Sequence, residues 1–76
     1  MKLVEFYEYS QQAWKEVEEG KHYHYRYGQA LFNILPEEVT KAIYLSDNDF
    51  FHWDNERWQE INDICYSLCD EYKNSI

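Results

Sequence analysis

Only two glycines and one proline interrupt this chain of 76 residues, and charged residues are plentiful. That is not the composition of a disordered segment. Basic residues are scarce: seven Lys and Arg face fifteen carboxylates, for a net charge of −8. Electrostatics therefore oppose direct contact with nucleic acid or an anionic membrane. The same imbalance favours a protein partner with a basic surface, such as the groove of a nucleic-acid-binding protein. No apolar run is long enough to span a membrane. The stretch Met1-Lys2-Leu3-Val4-Glu5 turns acidic too early for a signal peptide. Cysteine is limited to Cys65 and Cys69, four apart in a segment that reads as helix, a spacing poorly suited to a disulfide. These absences together predict a reducing, cytoplasmic setting.

Catalytic signatures are missing as well. There is no Gly-rich phosphate loop and no Gly-x-Ser-x-Gly elbow. A nucleophile built from Cys69 with His52 or His24 would sit near a helix C-terminus beside Asp70 and Glu71, where a thiol holds its proton. The chain is expected not to be an enzyme and to need no cofactor.

What is abundant is aromatic side chain. Fifteen residues are Phe, Trp or Tyr, and each ring removes roughly 150–250 Å² from water when buried. They offset a size handicap, since a chain this short buries only about 60% of its unfolded surface. Periodicity predicts a single all-α domain, a compact bundle of four helices, two longer and two short. The first spans about residues 2–19, with Leu3, Phe6, Tyr7, Ser10, Trp14 and Val17 at helical spacing and Gly20 as its stop. A period-two tract, residues 21–27, leads into a second helix from about Tyr25, with Ala30, Leu31, Ile34 and Leu35 as its buried stripe. Pro36 opens a third helix to about Tyr44 that buries Val39, Ala42 and Ile43. After the turn-rich Ser46-Asp47-Asn48-Asp49, Asp54 caps a last helix over about residues 55–73. Its apolar series is Trp58, Ile61, Cys65, Leu68 and Tyr72.

Three constellations are left once the core is assigned. On the first helix Glu5, Glu8, Gln12, Glu16 and Glu19 share a face; on the last, Glu56, Glu60, Asp63, Ser67 and Asp70 do so. Neighbours three or four apart sit about 5–6 Å from one another, close to the spacing of successive phosphates. Two such ridges would imitate a nucleic-acid backbone in a basic groove. The competing reading is an ordinary solvated face. His22, His24, Cys65 and Cys69 have the donor types for tetrahedral zinc, but their spacing matches no common motif and Cys65 holds a core position; no metal is expected. Tyr7, Tyr9, Tyr23, Tyr25, Tyr27, Tyr44, Phe50, Phe51 and Trp53 exceed what so small a core hides, and Tyr23, Tyr25 and Trp53 are candidate interface anchors. Tyr27 and Phe51 are expected to cap the bundle ends instead, and Arg26 and Arg57 to make internal ion pairs.

The stretch Arg26-Tyr27-Gly28-Gln29-Ala30-Leu31-Phe32-Asn33-Ile34-Leu35-Pro36 resembles a segment of small bacterial and phage proteins. In these an Arg-x-Gly-Gln-Ala-x-Phe-Asn core leads into a short helix and an acidic-aromatic loop. The matching loop here is Asp47-Asn48-Asp49-Phe50-Phe51-His52-Trp53-Asp54, with Phe50 in place of the usual proline. That family has no assigned activity, so the resemblance implies only a phage or mobile-element setting and a helical core. At the residue level, Gly28 implies close helix approach, while Gln29 and Asn33 are expected to bridge to the acidic loop. The expected function is a non-enzymatic module that binds and occludes a host or antiviral-defence protein. The alternatives are a homo-oligomerising structural domain and a small Cys/His metal regulator.

Overall fold

A computed structural model of the chain describes residues 1–20 and 24–73, residue 73 by its backbone alone. Among the described residues five α-helices follow one another: α1 (Leu3–Glu18), α2 (Tyr27–Ile34), α3 (Glu37–Leu45), α4 (Trp58–Ser67) and α5 (Asp70–Lys73). A 3₁₀ turn, Asn55–Arg57, runs directly into α4, and no strand occurs among the described residues. The protein is all-α, as its periodicity predicts.

Local chemistry sets most helix ends. The Glu5 carboxylate accepts the Lys2 backbone N–H at 2.8 Å and so satisfies a donor that the first turn of α1 leaves open. Gly20 ends α1 in the left-handed region (φ 62°), its N–H donating to the Val17 carbonyl at 3.1 Å. Chain direction is then reset by His24 (φ 56°), and Arg26 is extended. Consequently α2 starts at Tyr27, later than its apolar pattern suggests. Pro36 lies one residue outside α3, as its extended N-cap (ψ 145°) rather than its first turn.

The last helix is broken, contrary to the expected run through residue 73. Leu68 and Cys69 tighten onto the carbonyls three residues back, and the Asp70 N–H donates instead to the Met1 carbonyl at 2.9 Å. Glu71 accepts the Leu3 N–H at 3.0 Å. The break thus lets α5 hold the start of α1.

Tyr27 sits at the centre of the core, fully buried. Its hydroxyl donates to Asn62 Oδ1 on α4 at 2.6 Å. With that proton committed, Ser10 Oγ on α1 donates to the phenol oxygen, also at 2.6 Å. Trp14 stacks on the ring with centroids 4.2 Å apart and planes within 7°. The Tyr27 backbone N–H completes the set by donating to Asn55 Oδ1 at 2.8 Å. The expectation that this ring caps a bundle end with its tip in water is therefore corrected. Around it pack Phe6 and Ala13 of α1, Ala30 and Leu31 of α2, Val39 and Ile43 of α3, Ile61 and Cys65 of α4, with Phe50 and Cys69.

Phe50 closes the core from the loop after α3. It is wholly buried, edge-on to Phe32 at 5.0 Å, and its backbone lies against Gly28. A Cβ on Gly28 would collide with the Phe50 carbonyl oxygen and meet its Cδ1 at 3.1 Å. Gly28 is closely approached, but by the Phe50 backbone of the loop rather than by the neighbouring helix expected from the sequence. Asn33, by contrast, does not reach the acidic loop: its Nδ2 donates to the Tyr25 hydroxyl at 3.0 Å.

Two substitutions test this core. Gly28→Ala forces the Phe50 backbone away and is expected to cost about 1–3 kcal/mol, the usual range for overpacking. Tyr27→Phe leaves Ser10 and Asn62 without their partner and is expected to cost about 1–3 kcal/mol through buried unsatisfied groups. Urea denaturation with unchanged m-values checks both; wild-type midpoints would contradict the described packing.

Candidate functional site

All fifteen carboxylates lie on described residues, and every one except Glu16 is exposed. Glu16 is the correction to the ridge on α1: it is only 8% exposed and its Oε2 accepts from Gln12 Nε2 at 3.1 Å. Helix α1 turns this position inward beside Ala13, so Glu5 and Glu8 are separated from Glu19. On the other ridge Glu56, Glu60 and Asp63 remain outside, but Asp70 begins α5 beyond the break and lies 3.5 Å from the Met1 amino group. Several carboxylates are engaged locally. Glu5 and Glu71 hold backbone N–H groups, Asp49 accepts from the Phe51 N–H at 3.0 Å, and Asp54 faces Arg26 at 3.8 Å. Neither ridge is a regular row.

The aromatic candidates divide in the same way. Tyr25 is buried, 7% exposed, because the extended chain before α2 folds its ring into the core; it is not an exposed anchor. Tyr23 lies outside the described residues. Trp53 is half-buried beneath Arg57, whose guanidinium stands 3.5 Å from the ring centroid. Arg57 Nη2 also donates to Glu60 Oε2 at 2.6 Å. Both arginines are spent on internal pairs, as expected from the sequence.

A different aromatic face is exposed where α1, α4 and α5 meet. Tyr66 is half-buried, edge-on to Phe6 at 5.3 Å and to Tyr7 at 6.3 Å, and stacked on Tyr72 at 6.4 Å. Tyr7 and Tyr72 are about half exposed, and Trp58, at the start of α4, is 42% exposed. Between Trp58 and Tyr66 runs an open cleft of about 390 Å³, lined by Trp58, Gln59, Asn62, Asp63 and Tyr66. Asn62 is fixed by Tyr27, and Asp63 carries the one formal charge of the lining. Partial burial, then the neighbouring Tyr7 and Asp63, push the Tyr66 phenol above its ordinary value. Sequence reasoning missed this face because the three-four spacing of α4 assigns Trp58 and Tyr72 to the core. The available signal was the surplus of tyrosines over core volume.

No family model, curated protein or solved structure matches this chain.

Neither thiol is poised for chemistry. Cys65 and Cys69 are free and fully buried, and Cys69 Sγ donates to the Cys65 carbonyl at 3.5 Å. Burial, then the nearby Cys69, push the Cys65 thiol from its ordinary 9.0 up to about 12. Burial, then the Glu71 carboxylate, raise Cys69 as well. His24 and His52 are exposed, whereas His22 lies outside the described residues. Among the described residues no group of three or more His, Cys, Asp or Glu is arranged to hold a metal ion. Nor is any helix among them long and apolar enough to cross a membrane.

The buried thiol and phenol give a signed pH dependence. Unfolded, Cys65 ionises near 9.0 and Tyr27 near 10.0; folded, burial holds both to about 12. Above the unfolded values the unfolded chain binds fewer protons than the folded one, so stability falls as pH rises. Urea midpoints are expected to be level below about pH 9 and to decline from there towards 12. Cys65→Ala should flatten part of the decline, and a level wild-type profile across that window would contradict burial of these groups.

Proposed function

We propose that this chain is a non-enzymatic protein-binding module that docks on a basic surface of another protein and blocks it by occlusion. One observation carries the reading: a surface on which all carboxylates but Glu16 are exposed also presents the Tyr7, Trp58, Tyr66 and Tyr72 face. A one-signed field accelerates encounter with an oppositely charged partner. Tyr and Trp then supply the anchors that hold most interfaces together. The same field argues against nucleic acid or an anionic membrane as a direct partner.

The setting is read from residues 26–54, which resemble small bacterial and phage proteins. That resemblance supports a phage-encoded inhibitor of a host or antiviral-defence protein, working in the bacterial cytoplasm, where the free thiols Cys65 and Cys69 stay reduced. Within this reading, general charge complementarity has more support than imitation of a phosphate row. Glu16 interrupts one ridge and the break before Asp70 interrupts the other.

Self-association through the same face is the second reading, favoured by Val4, 59% exposed one turn from Tyr7. Two copies at −8 each repel one another, which weighs against it. A Cys/His metal regulator draws no support from two fully buried cysteines.

The test is capture of partners from bacterial lysate by tagged protein, with graded salt washes. The expected partner is a nucleic-acid-binding protein that salt elutes and DNA displaces. Reversing Glu56, Glu60 and Asp63 together to Lys should lower its association rate about tenfold or more at low salt. Unchanged association would sink the steering mechanism. A stable dimer in solution with nothing captured would favour self-association.

A further inference from the structure

We propose that the α4 cleft receives one arginine side chain of the partner protein, its guanidinium beside Asp63 and its face against Trp58 and Tyr66. This rests on the reading that the chain binds a basic protein surface, and it names what that surface inserts. The cleft, about 390 Å³, is at the small end of the range of ligand pockets. Trp58 and Tyr66 give it two aromatic walls, Gln59 and Asn62 are polar, and its one formal charge, on Asp63, is negative. Asn62 is neutral and already accepts from Tyr27, so the full charge of Asp63 is the stronger attraction for a cation. Asp63 is exposed and makes no ion pair among the described residues, unlike Glu60 and Asp54.

The chain shows the chemistry once already, at Arg57, one residue before Trp58 in sequence. Arg57 lies over Trp53 at 3.5 Å while Glu60 accepts from it at 2.6 Å. Indole, carboxylate and guanidinium meet there in a filled version of what Trp58, Asp63 and Tyr66 leave open. A planar, weakly hydrated guanidinium suits such walls better than an ammonium, since it stacks and bonds a carboxylate at once. The far wall is preformed: Tyr66 is braced by Phe6, Tyr7 and Tyr72. A second copy of this chain is a poor donor, because Arg26 and Arg57, its two arginines, are both engaged.

The deciding experiment titrates the ¹⁵N-labelled full chain with the peptide acetyl-Gly-Arg-Gly-amide and with its citrulline counterpart, isosteric but neutral. The arginine peptide should shift the Trp58 indole and Asp63 amide signals saturably, binding about tenfold tighter than the citrulline peptide. Asp63→Asn should weaken it about fivefold or more at unchanged thermal stability, while Glu56→Gln, exposed outside the cleft, changes it less than about twofold. Equal binding of the two peptides, shifts elsewhere than the cleft, or equal losses in both variants would overturn the proposal. Lysate capture separates the two levels. If wild type and Asp63→Asn retain the same basic partner equally, the cleft assignment falls and the binding module stands. If wild type retains nothing, the binding module falls, and the titration still decides the cleft.

Discussion

The hydroxyl of Tyr27 joins α1 to α4 through Ser10 and Asn62, and the rest of the bundle is arranged around that junction. A phenol at the centre of so small a core would cost several kcal/mol if its polar end had no partner. Here the phenol both donates, to Asn62, and accepts, from Ser10, and the ring is stacked on Trp14. The consequence reaches the surface. Holding Asn62 inward fixes the rotation of α4 about its axis, and with it the stripe formed by Trp58, Gln59, Asp63 and Tyr66. The exposed face is therefore a by-product of a buried hydrogen bond.

That link explains what was legible in the sequence and what was not. The helices were legible because Phe6, Ala30, Leu31, Val39, Ile43, Ile61 and Cys65 follow a helical period and are buried as the period requires. The stop at Gly20 and a tight approach at Gly28 were legible too, since few residues tolerate a left-handed turn or a backbone carbonyl at Cβ distance, but that the approach comes from the Phe50 loop and not from a helix was not. The rotation of α4 was not. Hydrophobicity ranks Trp58 and Tyr72 above Asn62 for the interior, yet Asn62 is buried and both aromatics are exposed. Its burial depends on a phenol that is 35 residues away in sequence. A similar inversion affects Glu16, taken inward on the side of α1 that carries Ala13, and Tyr25, whose position depends on an extended segment that periodicity does not describe.

The break in the last helix has the same origin. Apolar spacing runs unbroken from Trp58 to Tyr72, so pattern alone predicts one continuous helix. What interrupts it is competition for a backbone donor: the Asp70 N–H finds the Met1 carbonyl, and Glu71 takes the Leu3 N–H. These bonds turn Tyr72 back over Tyr66, stacked at 6.4 Å, and so build the tyrosine wall. Without the break, Tyr72 would continue along the core side of α4.

Charge is distributed with a comparable division of labour. Glu5, Asp49 and Glu71 satisfy backbone donors, and Asp54 and Glu60 neutralise the two arginines. Glu8, Glu56 and Asp63 remain exposed without such engagements among the described residues, and they contribute to the field that the proposed partner would meet first. In physiological salt that field is screened within about 8 Å, so in the proposed complex it would guide encounter and orientation rather than hold the partner. Retention has to come from desolvated contact, and the exposed aromatic face is where this surface offers it. Asp63 is the residue at which the two proposed roles coincide, since it is one of the exposed carboxylates of α4 and also lines the cleft between Trp58 and Tyr66. A carboxylate so positioned attracts a cation at long range and orients it at contact, which a carboxylate on an open helix face does not do.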